Sequence, residues 1–240
     1  MKRIRIVGLC LVAVFAISAV AASGASAANF LFKEPSGGTF PVSFLSHGSA
    51  AKLTTVGGKE ISCTAVDNQG EVENHTLGLV LITFLGCSTK VSIFTFKCTN
   101  TATEGNIDVH LTFHLGKVLP SGNPGILFLL PGGKFNFECT SLAKIEVTGE
   151  VVGLLFETGT TTPLKTKTAY ESVELSFKQS STGVQEDKIF DLSPGEQEMT
   201  VHLNSNLNSE GAEEAAEVTS DVLDGFKSGT TAVKLELESP

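Results

Sequence analysis

Short segments that are apolar, or that alternate between apolar and polar residues, recur along the chain and are separated by Gly, Pro, Asn and Ser. Because successive side chains of a β-strand point to opposite faces, this alternation is typical of half-buried strands. Candidate strands include 77–86, 91–98 and 105–115, and the apolar run 79–85 predicts a central strand of a two-layer structure. The one helix-friendly segment, 210–218, is equally compatible with an acidic loop. We therefore predict an all-β fold, an antiparallel β-sandwich cross-linked by two disulfides, with a β-barrel as the alternative.

The first 27 residues have the layout of a secretory signal peptide. A basic start is followed by the apolar run 6–22 and then by Ala25 and Ala27, which form an A-x-A cleavage site. An uncleaved signal anchor is the rival interpretation, but a spanning helix needs about 20 apolar residues and this run is shorter. We predict cleavage after Ala27, no membrane span in the mature chain, and a secreted or extracellular location, with cell-envelope association left open. Residues 28–240 are predicted to form a single β-rich domain, with a subdivision near 157–163 as the alternative.

Cleavage changes the composition in a way that excludes some functions. It removes Lys2, Arg3 and Arg5, so that 14 Lys and no Arg remain against 26 acidic residues, and the formal net charge changes from −9 to −12. Nucleic acid is not an expected partner, because phosphate neutralisation needs a basic face and Arg is the usual reader of bases. Trp is absent and Tyr170 is the only tyrosine, which also disfavours the flat aromatic platforms used in sugar recognition. The expected partner is an extracellular or cell-envelope molecule of unknown identity.

Four cysteines remain after cleavage: Cys63, Cys87, Cys98 and Cys139. An even number in an exported chain predicts two disulfides, for which three connectivities exist. We favour Cys87–Cys98, which closes a hairpin-length loop, and Cys63–Cys139. The strand phase places Cys98 on one face with Phe94, and we expect that face to be buried. Zinc ligation is disfavoured because no CxxC pair occurs.

No standard catalytic motif is present, and we assign no catalytic residue. His110 and His114 would chelate one ion on a helix, but on the predicted strand their spacing of four separates them by about 13 Å. Glu71 and Glu73, about 6–7 Å apart on a strand, are within the range of a carboxylate pair in an inverting glycosidase, although solvent-facing pairs of this kind are common on β-sheet surfaces.

The remaining candidate site is an acidic, Asn-rich segment. Asn206, Asn208, Glu210, Gly211 and Glu217 occupy the first, third, fifth, sixth and twelfth positions of an outline that resembles an EF-hand calcium loop. The outline departs from that loop because its first residue is Asn rather than Asp and no clear helices flank it. Calcium is therefore the one cofactor hypothesis, set against a cofactor-free protein with a solvated loop.

Several short motifs resemble those of a group of uncharacterised exported bacterial proteins with four cysteines and an all-β pattern. These motifs are the Gly-Gly-Lys segments at 57–59 and 132–134, each upstream of a Cys-Thr pair, together with the strand ends at 85–87 and 137–139. The resemblance implies a secreted, disulfide-linked sandwich and no known activity. The function expected at this point is that of a secreted or envelope-associated non-enzymatic module with a binding or structural role. The alternative is a secreted hydrolase acting on an extracellular polymer.

Overall fold

The computed structural model describes residues 30–36, 38–140, 143–182, 184–187, 189–192, 198–208 and 211–238, and the predicted signal peptide lies outside these residues. The described part of the chain contains nineteen strands and no helix. The strands are β1 (Leu31–Phe32), β2 (Val42–Gly48), β3 (Ala51–Thr55), β4 (Glu60–Cys63), β5 (Ala65–Val72), β6 (Leu77–Leu85), β7 (Ser88–Val91), β8 (Phe94–Lys97), β9 (Ile107–Leu119), β10 (Asn123–Thr140), β11 (Ala143–Glu157), β12 (Ala169–Tyr170), β13 (Val173–Phe177), β14 (Ile189–Asp191), β15 (Met199–Thr200), β16 (Leu203–Leu207), β17 (Ala212–Ser228), β18 (Thr231–Ala232) and β19 (Leu235–Glu238).

These strands form one sheet of sixteen strands and a small sheet of three, in the order β1-β19-β12. Every pairing between them is antiparallel. The predicted all-β, antiparallel, disulfide-linked class is confirmed. Among the described residues, no helix is long and apolar enough to cross a membrane.

Eight strands of the large sheet pair in a closed circuit, which we call the first ring. Its order is β13-β11-β10-β9-β6-β5-β2-β17, and β17 pairs with β13 to complete the circuit, with Val173 opposite Leu223. Because each ring strand is hydrogen-bonded on both sides, one face of every strand points into the ring and the other points outward. The inward face of the first ring therefore becomes the main core.

The longest strands continue beyond the first ring and change partners. Residues 145–149 of β11 pair with β16, which pairs with the start of β17, and β17 then pairs with β3. The order continues through β4, β7 and β8, and Thr99, just after β8, bridges to Glu138 of β10. We call this circuit the second ring. The two rings share β10, β11 and β17, and the change of partner coincides with a register shift between Leu129 and Lys134 and with Gly149 at φ +92°.

The main core is centred on aromatic side chains inside the first ring. Phe113 is 1% exposed, and its ring centroid lies 6.5 Å from that of Phe32, 6.1 Å from that of Phe44 and 6.0 Å from that of Phe128. Such edge-on and tilted contacts are the favoured geometries for aromatic pairs. Gly78 lies against this cluster, and a Cβ atom there would overlap the Phe113 ring.

All four mature cysteines form disulfides, but the pairings are Cys63–Cys87 and Cys98–Cys139, so the predicted connectivity is wrong. The four side chains are buried, and the burial that the strand phase predicted for Cys98 is confirmed. Cys87 and Cys98 do lie opposite each other, since the Cys98 N–H donates to the Cys87 carbonyl at 2.9 Å. Cys87 is instead bonded to Cys63, and Cys98 is bonded to Cys139.

The strand register explains these pairings. The β5–β6 hairpin pairs Ala65 with Leu85 and so brings together the two cysteines that lie two positions outside this pair. The bridge between Thr99 and Glu138 brings together the cysteines that precede and follow those residues. The sequence-based choice rested on loop length within one hairpin and could not include these contacts between separate hairpins.

Two further expectations need correction. The helix-friendly segment 210–218 lies mostly in β17, a strand of 17 residues, because pairing with β16 and β3 outweighs its local helix propensity. The candidate strand 91–98 is interrupted by a turn at Ser92, where φ is +58°, and Phe94 is 62% exposed rather than buried beside Cys98. The segment 157–163, named above as the site of an alternative subdivision, is a tight loop closed by a bridge between Phe156 and Pro163.

Candidate ligand cavity

A cavity of about 80 Å³ lies where the two rings meet. Its wall includes residues from β3, β4 and β16 of the second ring and from β6 and β9 of the first, as well as from the shared strands. Apart from Lys52 and Glu217, the residues around it are apolar or Gly, among them Phe84, Phe128, Phe135 and Phe137. A cavity with such a wall is suited to an apolar group.

Glu217 contributes a carboxyl group to this apolar wall. It lies on the inward face of β17 with Ala215, Thr219, Asp221 and Leu223, because alternate residues of a strand share one face. Its side-chain carboxyl forms no hydrogen bond or ion pair with any other described residue. The residue keeps part of its surface accessible, as expected for a side chain that lines a cavity.

The environment of Glu217 favours the neutral acid. Burial, and to a lesser extent the nearby charge of Asp221, raises the pKa of Glu217 from 4.5 to about 8. At neutral pH the group is therefore mostly protonated and is a hydrogen-bond donor that faces apolar surroundings. An unpartnered donor in a low-dielectric cavity is a strong point of attachment for a ligand that supplies an acceptor.

A second polar group lies deeper on the same face of β17. Asp221 is 2% exposed and accepts hydrogen bonds from Asn68 Nδ2 at 3.1 Å and from the Thr219 hydroxyl at 3.2 Å. Burial raises the pKa of Asp221 to about 6, although these two hydrogen bonds oppose the shift. Asn68 Nδ2 also donates to Ser46 Oγ at 3.1 Å. This cluster holds β2, β5 and β17 together through polar contacts inside the ring.

The cavity lies beneath an open cleft at one end of the molecule, which we call the mouth cleft. The mouth cleft has a volume of about 800 Å³, and it is bounded on one side by the β3–β4 and β7–β8 hairpins and on the other by β16 and the start of β11. Leu53 and Ile61 line both the cleft and the cavity, so the cleft leads towards the cavity. The register places the β3–β4 and β7–β8 turns at this same end, because Ile61 pairs with Thr89.

The structure does not bring the predicted calcium ligands together. The Asn206 side-chain oxygen accepts a hydrogen bond from the Gly211 N–H at 3.2 Å, and the Asn208 oxygen accepts one from the Lys144 N–H at 2.8 Å. Glu217 lies five residues along β17 from Ala212, the partner of Asn206, which corresponds to about 17 Å of extended chain. Glu210 lies outside the described residues.

The other candidates from the sequence lie on or beside two strands of the first ring, β9 and β5. His110 and His114 lie on β9, which is a strand as predicted, and no three His, Cys, Asp or Glu side chains in the described ranges are grouped as metal ligands would be. Glu71 lies at the end of β5, and Glu73 follows it outside the strand. Glu217 and Asp221 share an inward face, but four residues of extended strand separate them by about 13 Å, which exceeds the carboxylate spacing of glycosidases.

Sequence reasoning missed the cavity and assigned Glu217 to an acidic segment, as a candidate calcium ligand or as part of a solvated loop. The available signal was the alternation of 215–223, which puts two acids and a Thr on the same face as Leu223. No family model, curated protein or solved structure matches the chain.

Proposed function

We propose that this protein is an exported, non-enzymatic binding module whose cavity receives the apolar end of a small amphipathic molecule. The observation that carries the proposal is the unpartnered Glu217 carboxyl in a cavity beneath an open cleft, and the other residues that line the cavity are apolar or Gly apart from Lys52, which bonds to Glu60. Ligand sites commonly combine an apolar lining with a few polar groups that fix orientation.

The sizes of the cavity and the mouth cleft suggest which part of the ligand would lie in each. A cavity of about 80 Å³ has room for a short alkyl segment or part of a ring, since an engineered cavity of about 150 Å³ accommodates benzene. The bulkier and more polar portion would lie in the mouth cleft. A carbonyl, ether or hydroxyl oxygen near the apolar end would accept a hydrogen bond from protonated Glu217.

Export is supported by the sequence and is compatible with the disulfides. The N-terminal segment has the order of a signal peptide. Two buried disulfides are compatible with an oxidising compartment, in which such bonds form and persist.

A displacement assay tests the proposed binding. We expect 2-decanone to displace the fluorescent probe N-phenyl-1-naphthylamine from the protein, and decane, which has no acceptor, to do so less effectively. Ala51→Phe should abolish displacement by filling the cavity, since Ala51 lines it and is 2% exposed. Glu217→Leu should remove the preference for the ketone over the alkane.

The matched control is Val56→Phe, which adds the same ring at a site that is 51% exposed. Circular dichroism and thermal melting would establish that each variant is folded. Displacement unaffected by Ala51→Phe would contradict binding in the cavity. Turnover of esters or glycans by the pure protein would instead favour the hydrolase alternative.

A further inference from the structure

The β7–β8 hairpin carries the most exposed apolar side chains of the described chain. Ile93 is 83% exposed, Phe94 is 62% exposed and Val91 is 58% exposed, and all three lie at or beside the turn. Single exposed apolar residues are ordinary, but three of them at one hairpin turn form a patch of the kind that marks interaction sites.

The turn end of the hairpin extends beyond its pairing with β4, since β4 pairs with Ser88 and Thr89 and the following residues of β7 pair with β8. Residues of β7 and β8 are exposed or half-buried on both faces, so neither face is covered by another layer. The Phe94 ring contacts the Phe96 ring, with centroids 6.4 Å apart and planes tilted by 39°. Ser92 adopts a left-handed conformation, φ +58°, which directs the chain sharply around the tip.

The charge of the hairpin is opposite to that of the chain. Residues 88–98 contain Lys90 and Lys97 and no acidic residue, whereas the whole sequence has a formal net charge of −9. Both lysines are exposed, and neither forms an ion pair with another described residue. Lys90 directly precedes the apolar tip, and Lys97 lies opposite Ser88, at the other end of the hairpin.

We propose that this hairpin docks the protein on an anionic lipid bilayer, with the apolar tip among the acyl chains and the lysines near the headgroups. A bilayer surface accepts a convex apolar tip without a matching pocket, and anionic lipids attract nearby Lys at about 1 kcal/mol each. That free energy corresponds to about a 5-fold change in affinity per lysine. The proposal does not depend on the proposed ligand.

Docking in this way would place the mouth cleft at the lipid surface. Val91 and Ser92 line the cleft as well as forming the tip. The β3–β4 turn, with Val56 at 51% exposure, lies at the same end and would add to the contact. The arrangement gives an amphipathic molecule in the bilayer a short route into the cleft.

Flotation with vesicles tests the proposal. The probes are vesicles of phosphatidylcholine alone and of phosphatidylcholine with phosphatidylglycerol, and all protein samples carry the same N-terminus, verified by mass spectrometry. We expect binding to the anionic vesicles, reduced at least 10-fold by the double substitution Ile93→Ser and Phe94→Ser. The double substitution Lys90→Gln and Lys97→Gln should reduce binding to anionic vesicles about 25-fold and weaken its salt dependence.

The matched control is Leu45→Ser with Leu79→Ser, which removes side chains that are 48% and 40% exposed on another surface, and it should leave vesicle binding unchanged. Absence of binding to anionic vesicles at low salt, or equal loss in this control, would overturn the proposal. Sedimentation velocity tests whether a second copy of the chain binds the hairpin instead of a bilayer. A dimer that the tip substitutions abolish would assign the hairpin to self-association.

Discussion

Replacing Glu217 by Gln should remove most of the decrease in the free energy of unfolding that ionisation of this carboxyl causes as the pH rises. In the unfolded chain this carboxyl ionises near pH 4.5, whereas in the folded protein its pKa is about 8. Between these values the folded protein holds a proton that the unfolded chain has released, so the free energy of unfolding falls as pH rises. The contribution is complete below about pH 4.5 and is lost as the pH rises through 8.

The structure sets the size of the effect. A difference of about 3.5 pH units between the two states, at 1.36 kcal/mol per unit, corresponds to at most about 5 kcal/mol, of which about 3–4 kcal/mol falls between pH 5 and pH 8. Water entering the cavity would reduce this value. Asp221, with a pKa raised to about 6, adds a loss of the same sign that Glu217→Gln leaves in place.

Urea unfolding followed by circular dichroism, with disulfides intact, measures these quantities at pH 5, 6, 7 and 8. We expect the wild type to lose stability more steeply than Glu217→Gln, with the two curves diverging by up to about 3–4 kcal/mol over this range. Glu73→Gln is the matched control, since that side chain is exposed, and its curve should follow the wild type. Parallel curves for the wild type and Glu217→Gln would show that the carboxyl is not held in an apolar environment.

Three further changes test the fold. Peptide mapping without reduction should yield Cys63 linked to Cys87 and Cys98 linked to Cys139. By the chain-entropy relation, removing both cysteines of the first pair should lower the free energy of unfolding by about 3.5 kcal/mol. Removing both cysteines of the second pair should lower it by about 4 kcal/mol. Phe113→Ala should cost about 3–5 kcal/mol in urea unfolding, because it leaves a cavity among Phe32, Phe44 and Phe128; a loss below about 1 kcal/mol would contradict the central role of that ring. Gly78→Ala should lower the melting temperature, because its Cβ would overlap the Phe113 ring and the Glu71 carbonyl oxygen, and an unchanged temperature would contradict this packing.

The sequence predicted local structure well wherever the alternation was regular. The candidate strand 77–86 corresponds to β6 (Leu77–Leu85), and the paired cysteines were identified from their number and phase. The connectivity was predicted wrongly because it depends on contacts between hairpins far apart in sequence. Such contacts follow from the register of the whole sheet, which a local pattern does not contain.

The candidate site was predicted less well, and Glu217 shows why. A glutamate in an acidic stretch is normally exposed, and 210–218 has the composition of a helix or a solvated loop. Only the pairing of β17 with β3 and β16 turns this side chain inward. The burial of that carboxyl is thus a property of the tertiary structure and has no signature in composition.

The position of β17 near the end of the chain determines when the rings can close. This strand pairs with β2 and β3, near the start of the described chain, and with β13 and β16. A chain that emerges N-terminus first therefore carries open sheet edges on all four of these strands until residues 212–228 have emerged, and open edges promote aggregation. Because these pairings span most of the sequence, we expect slow folding that is limited by the docking of β17 rather than by formation of the individual hairpins.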